Sequence, residues 1–141
     1  MTDLTDLYII IAEDDPDDAD IVQNSFEKNK LYSRVKVVTN GKELLGFLEN
    51  NPNDIPDVIL TDINMPIMNG MEALKEISEN VRLQLIPSFV YSTTANPAYE
   101  QRCKDLGIYG FLIKPYTIEE FDMIPSEIIS ILTAKLSLTN Q

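Results

Sequence analysis

The chain contains no histidine and no tryptophan, and it has one cysteine in 141 residues. Without imidazole, Ser-His triads and most zinc hydrolase sites are excluded. The single thiol, Cys103, can form neither an intrachain disulfide nor a cysteine-rich metal site. Its plain reading is a half-buried helix residue, because free cysteines tend to be buried. Basic residues are scarce: 11 Lys and Arg stand against 23 Asp and Glu, for a formal net charge of −12. That balance argues against binding nucleic acid through its phosphates and against docking on an anionic membrane. No apolar stretch reaches the ~20 residues that span a bilayer. The opening Met1-Thr2-Asp3-Leu4-Thr5-Asp6 lacks the basic region of a signal peptide. A cytoplasmic protein is the expectation.

What the chain does contain is a regular alternation. With 44% hydrophobic residues it can build one sizeable core, and its length suits a single domain. Short apolar runs at Tyr8–Ala12, Val35–Val38, Val58–Leu60, Ser88–Tyr91 and Tyr109–Ile113 predict five strands. Between and after them lie five helical patterns. The first runs from Pro16 to about Asn29, with Asp15 as N-cap and Ile21, Val22, Ser25 and Phe26 at helical spacing. The second runs from about Gly41 to Glu49, with Leu44, Leu45 and Leu48 inward. The third runs from about Gly70 to Glu79, with Leu74 and Ile77 inward. The fourth opens at Asn96-Pro97 and stops at Gly107. The fifth opens at Thr117, where Glu120 completes a capping box, and continues through Phe121, Ile124, Ile128 and Leu132. Pro125 inside it costs ~3 kcal/mol in a helix interior, so the helix either begins near Pro125 or is kinked there. Asn50–Pro56 reads as a polar loop, and the polar tail from Ser137 is expected to fray. Strict alternation of this kind predicts a parallel sheet covered by helices on both faces, connected by right-handed crossovers.

The polar residues then fall in one place. The first strand ends at Glu13-Asp14-Asp15, the third at Asp62, the fourth at Ser92-Thr93 and the fifth at Lys114. Open α/β sheets bind ligands outside the carboxyl ends of their strands. Each residue also has an innocent reading. The three acids suit a helix N-terminus, Asp62 could cap a turn, Ser92 or Thr93 could cap the next helix, and Lys114 could be solvated. Their coincidence at four strand ends is what favours a site. Crowded carboxylates call for a cation. Magnesium takes oxygen ligands, uses one or two carboxylates and keeps several waters, which Asp14 and Asp62 fit. A carboxylate can itself attack phosphorus, while a lysine and a hydroxyl hold the remaining phosphoryl oxygens.

These residues resemble the receiver domain of response regulators in two-component signalling. The matching segments are Ile9 to Asp18, Asp62-Ile63-Asn64-Met65-Pro66 with Asn69-Gly70, Tyr91-Ser92-Thr93-Thr94, and Lys114-Pro115, within about residues 7 to 135. The resemblance implies a flavodoxin-like, doubly wound α/β fold of three layers. It implies a five-stranded parallel sheet of order 2-1-3-4-5 with five helices, in one domain over residues 1–141. It implies Asp62 as phosphoacceptor and Asp14 as a direct Mg²⁺ ligand. Glu13 would act through water, and Asn64 would offer its backbone carbonyl. Ser92 matches the switch hydroxyl, with Thr93 as the competing assignment. By the same resemblance Lys114 would pair with the phosphoryl group, Lys114-Pro115 would be a cis bond, and Phe111 matches the switch aromatic. Implied partners are a sensor histidine kinase, of hybrid or phytochrome-like type as the Glu-Asp-Asp-Pro-Asp-Asp opening suggests, and a downstream effector or phosphotransfer protein. A monomer or weak homodimer is expected.

Two departures from the family pattern stand out. Glu13 replaces the commoner Asp, and Phe111 lacks the hydroxyl of the usual Tyr, which removes a hydrogen bond that would tune its buried state. Three rival readings follow. A phosphorelay intermediate would pass its phosphoryl group to a histidine phosphotransfer protein. A magnesium-dependent phosphatase would want a second acid where Asn64 stands. A non-phosphorylated scaffold would have no use for Asp62, Asp14 and Lys114.

Overall fold

The computed structural model of the protein describes residues 4–139, with side chains described as far as residue 136. The elements run β1 (Leu7–Ala12), α1 (Pro16–Glu27), β2 (Tyr32–Val38), α2 (Gly41–Asn50), β3 (Val58–Asp62), α3 (Gly70–Ser78), β4 (Ser88–Ser92), α4 (Pro97–Asp105), β5 (Gly110–Ile113), α5 (Ile118–Phe121) and α6 (Ile124–Thr139). The sheet order is β2-β1-β3-β4-β5, and every pairing is parallel. This is the expected three-layer, flavodoxin-like arrangement.

Side-chain alternation divides the core into two halves. Tyr8, Ile10, Ala12, Ile59 and Val90 face one way and pack with Leu44, Leu48, Leu74 and Ile77 from α2 and α3. Leu7, Ile9, Ile11, Val58, Leu60, Phe89 and Tyr91 face the other way and pack with Val22 and Phe26 of α1 and Ile124, Ile128 and Leu132 of α6. The three central strands are buried along their whole length, which is why each reads as a continuous apolar run. Helix starts are capped by short polar side chains. Asp15 accepts from the N–H groups of Asp17 and Asp18, and Asn40 from Glu43. Asn69 and Glu72 form a reciprocal capping box, and Asn96 accepts from Ala98 and Tyr99. The cap of α4 is therefore Asn96, which leaves Ser92 and Thr93 outside that task.

The last helical pattern comes in two pieces. Thr117 caps the single turn of α5, with Glu120 reaching its hydroxyl, and α6 starts afresh at Ile124. Pro125 is thus in the first turn of α6, where its missing N–H leaves nothing unpaired. The tail expected to fray from Ser137 is helical as far as Thr139, each added residue gaining one backbone bond beyond the packed Leu132. Residues 140 and 141 lie outside the described part.

The turn from β3 into α3 is tight. Gly70 donates its N–H to the Ile63 carbonyl, and a Cβ at this position would overlap the carbonyl oxygen of Asp62. Backbone cannot yield there as a flexible side chain would. Gly46, in the middle of α2, has open space around it. We expect Gly70→Ala to lower stability by ~3 kcal/mol and Gly46→Ala to raise it by ~0.5–1 kcal/mol, both read from urea unfolding midpoints. Equal effects at the two positions would refute the close approach at Gly70.

Candidate phosphoacceptor site at the carboxyl edge of the sheet

Asp62 closes β3, flanked on one side by β1 and on the other by β4. Its Oδ1 accepts the N–H of Ile63 at 2.7 Å, which fixes the carboxylate at the strand mouth. Thr61 donates its hydroxyl to the Asp62 carbonyl at 2.9 Å and so steadies the backbone. Beyond Asp62 the loop passes through Ile67 at φ 69°, a left-handed conformation that a β-branched residue rarely adopts. Strain of this kind persists only where the surroundings hold it, here the Gly70 docking and the Met68–Gly41 backbone bond of 2.9 Å.

Lys114 leaves the end of β5 and is 6% exposed. Its backbone N–H bonds the Ser92 carbonyl at 2.8 Å. Its Nζ lies 2.7 Å from Glu13 Oε1, 3.0 Å from Asp18 Oδ2 and 3.2 Å from Asp62 Oδ2. An ammonium has three N–H donors, and three carboxylates occupy them. Burial by itself would lower the lysine's pKa, but the hydrogen bonds it donates to Glu13 and Asp18 outweigh that, and the net direction is upward. Lys114 therefore holds its proton at neutral pH. Burial pushes the Glu13 carboxyl up, against the pull of Lys114, the Tyr91 hydroxyl and the Asp15 N–H.

Glu13, Asp14 and Asp62 each present a carboxylate oxygen, and these oxygens lie within 4.8 Å of one another. Glu13 and Asp62 are buried and Asp14 is exposed. Three hard oxygen donors at this spacing suit a small divalent cation such as magnesium. Asn64 is exposed on the loop after β3, within reach of solvent. Ser92 is buried at the end of β4, its hydroxyl accepting weakly from the Thr94 N–H at 3.4 Å, whereas Thr93 is exposed. Phe111 is half-buried on edge strand β5, paired in register with Val90, and packs on the α2–α3 side of the core. The Lys114–Pro115 bond, expected to be cis, is trans like every described peptide bond. Trans is the lower-energy isomer even before proline, by roughly 0.5–1 kcal/mol. Cys103 is buried, its Sγ 3.8 Å from Met71 Sδ, and burial pushes its thiol up to about 11, as befits a packing residue.

Two residues of this cluster escaped the sequence reading. Tyr91, a fully buried member of β4, donates its hydroxyl to Glu13 Oε1 at 2.5 Å. The available signal was its phenol at the carboxyl end of a buried strand, since a buried Tyr hydroxyl ordinarily finds a partner. Asp18 holds Lys114 from the first turn of α1, one helical turn after Asp14. It reads as one more acid favoured by the helix dipole.

Replacing Lys114 by Met removes the only cation within bonding distance of Glu13 among the described ion pairs. Breaking such a pair costs ~3–5 kcal/mol. In that variant Glu13 loses one of the groups that hold its pKa down and moves further upward, so the folded state takes up a proton more readily than the unfolded chain. Stability lost at pH 7 then returns as pH falls toward the ordinary glutamate value of 4.5. In the unaltered chain the raised lysine contributes fully below its ordinary 10.5 and fades only above it. We expect the gap between Lys114→Met and the parent, measured in chelator-treated samples, to be smaller at pH 5 than at pH 7. An identical gap at both would sink the charge argument.

Comparison with known proteins agrees with this geometry. The family profile described as the response regulator receiver domain matches residues 9–124. A probable cyclic di-GMP phosphodiesterase of Vibrio cholerae is 32% identical over 118 residues, which cover 84% of this chain but 25% of that protein. The two-component response regulator ORR7 of japonica rice is 31% identical, over 86% of this chain and 56% of its own length. The chain thus spans a quarter and about half of these two relatives. Among solved structures, the phosphorylated cyanobacterial phytochrome response regulator RcpA superposes with a TM-score of 0.79 at 27% identity, covering 86% of this chain and 90% of its own. The Mn²⁺-bound form of the response regulator Rcp1 superposes at 0.78 with 25% identity, covering 88% and 92%. The chain belongs to the response regulator receiver domain family, whose members are phosphorylation-dependent signalling switches.

Proposed function

We propose that this chain is a single receiver domain that accepts a phosphoryl group on Asp62 from the phosphohistidine of a sensor histidine kinase. The observation that carries this reading is the reach of Lys114 Nζ to Asp62 Oδ2, 3.2 Å, beside the Glu13-Asp14-Asp62 carboxylates. A carboxylate oxygen of Asp62 attacks phosphorus, the P–N bond of the donor breaks, and the imidazole nitrogen keeps the electron pair and takes a proton from solvent. The product is an acyl phosphate. Lys114 then exchanges its longest carboxylate bond, to Asp62, for a phosphoryl oxygen and keeps Glu13 and Asp18. That exchange needs little movement, which is how a preorganised donor lowers a barrier.

Asp14 and Asp62 would hold Mg²⁺ directly, with the Asn64 carbonyl as a third ligand and Glu13 acting through water. When bound, the ion neutralises charge that develops on the transferring group. Ser92, buried at the end of β4, is better placed than exposed Thr93 to meet the phosphoryl group. Its movement, with that of Lys114, would repack half-buried Phe111 and so alter the α4–β5 surface that a partner reads. The similarity to a phytochrome response regulator favours a phytochrome-like or hybrid kinase as donor.

A small phosphodonor such as acetyl phosphate, with Mg²⁺, is expected to label the parent chain and to leave Asp62→Asn unlabelled in intact-mass measurements. Removing Mg²⁺ with a chelator should abolish labelling of the parent. Equal labelling of Asp62→Asn would refute the assignment.

A further inference from the structure

Tyr91 spans an unusual gap. Its strand, β4, is separated from β1 by β3, so Glu13 and Tyr91 start about 10 Å apart across the sheet. Only long side chains meet over that distance. Glutamate and tyrosine do, with the phenol hydroxyl 2.5 Å from Glu13 Oε1. The same oxygen accepts Lys114 Nζ at 2.7 Å, while Oε2 accepts the Asp15 N–H at 3.1 Å. A carboxylate offers about four acceptor positions. Three are filled by these donors, which leaves one position for a metal-bound water. The Tyr91 ring also lies under Lys114, with Nζ 5.3 Å from its centroid. One side chain therefore touches both the acid on the metal side and the lysine on the phosphoryl side.

We propose that Tyr91 is a positioning residue for the divalent cation: its hydroxyl pins Glu13 so that the carboxylate serves the ion through water while staying paired with Lys114. This rests on the metal reading of the site given above. A glutamate has one more rotatable bond than an aspartate, and without the hydroxyl its head group would be tethered by Lys114 and the Asp15 N–H alone. Groups that orient a metal's ligands from behind typically matter 10–100-fold for metal affinity. The competing account is that Tyr91 is a core residue whose hydroxyl merely found a partner.

The two accounts separate in a double-mutant cycle read by Mn²⁺ binding, with free ion followed by its electron paramagnetic resonance signal. Tyr91→Phe keeps the ring and removes only the hydroxyl. It is expected to weaken Mn²⁺ binding about tenfold, with Glu13→Gln giving a comparable loss and the double variant no weaker than Glu13→Gln alone. Unchanged binding in Tyr91→Phe overturns the proposal, as does an equal loss from Tyr91→Phe in the Glu13→Gln background. Asp14→Asn is the control. If the parent binds no Mn²⁺, or binds it as well with Asp14→Asn, the metal reading falls and this proposal with it. If Asp14→Asn loses binding and Tyr91→Phe does not, only the role of Tyr91 falls. Should Tyr91→Phe fail to fold in thermal melts, the parent chain still decides: the Tyr91 ¹³Cζ resonance is expected to shift along a Mg²⁺ titration with the midpoint of ion binding. A resonance that stays fixed through saturation refutes the link.

Discussion

At the carboxyl edge of the sheet one buried ammonium is shared by three carboxylates, and the stability of that edge depends on the balance between them. Glu13, Asp18 and Asp62 would repel one another if Lys114 were absent, and Lys114 would be costly to bury if they were. The whole chain carries a formal charge of −12, so the concentration of its acids near one point needs a local answer. Lysine supplies part of it. The acids exceed what the lysine alone can neutralise, and a divalent cation beside Asp14, if bound as proposed, would supply the rest.

The fold creates this balance by geometry alone. Parallel strands deliver all their carboxyl ends to one edge, and the order β2-β1-β3-β4-β5 sets β3 at the centre with the ends of β1 and β4 on either side. Lys114 starts three strands from Glu13, about 14 Å away, and the two long side chains close that span together. Asp62 sits at the start of the turn into α3, held by Gly70 against its carbonyl and by its own bond from the Ile63 N–H. With Asp62 as the proposed nucleophile on a strand end and the long side chain of Lys114 facing it, the work would be divided between a fixed acceptor and a movable cation.

Much of this was legible beforehand because a strand's last residue is a property of the strand alone. Glu13, Asp14, Asp62, Ser92 and Lys114 each follow an apolar run, and the parallel arrangement makes those ends converge. What stayed hidden are relations between elements. Tyr91 belongs to the core by its ring and to the site by its hydroxyl, and an apolar run reports the ring only. Whether Asp18 faces water or Lys114 depends on the rotation of α1 about its axis, which helical periodicity fixes for Val22 and Phe26 but not for a partner three strands away. Pro125 left two options because propensity says where a helix cannot continue and not where the chain will break. The two residues between α5 and α6 settle it.

Glutamate in place of the commoner aspartate at position 13 is best understood together with Tyr91. The longer acid reaches across β3 to the phenol and to Lys114 at once, with both donors on Oε1. An aspartate would be one methylene short of that meeting point, and the Tyr91 hydroxyl, buried at the same depth, would then be left without its acceptor. The two residues are therefore coupled through the unmet hydrogen bond that either change would leave behind. A substitution that looks conservative along the sequence is, across the sheet, half of a pair.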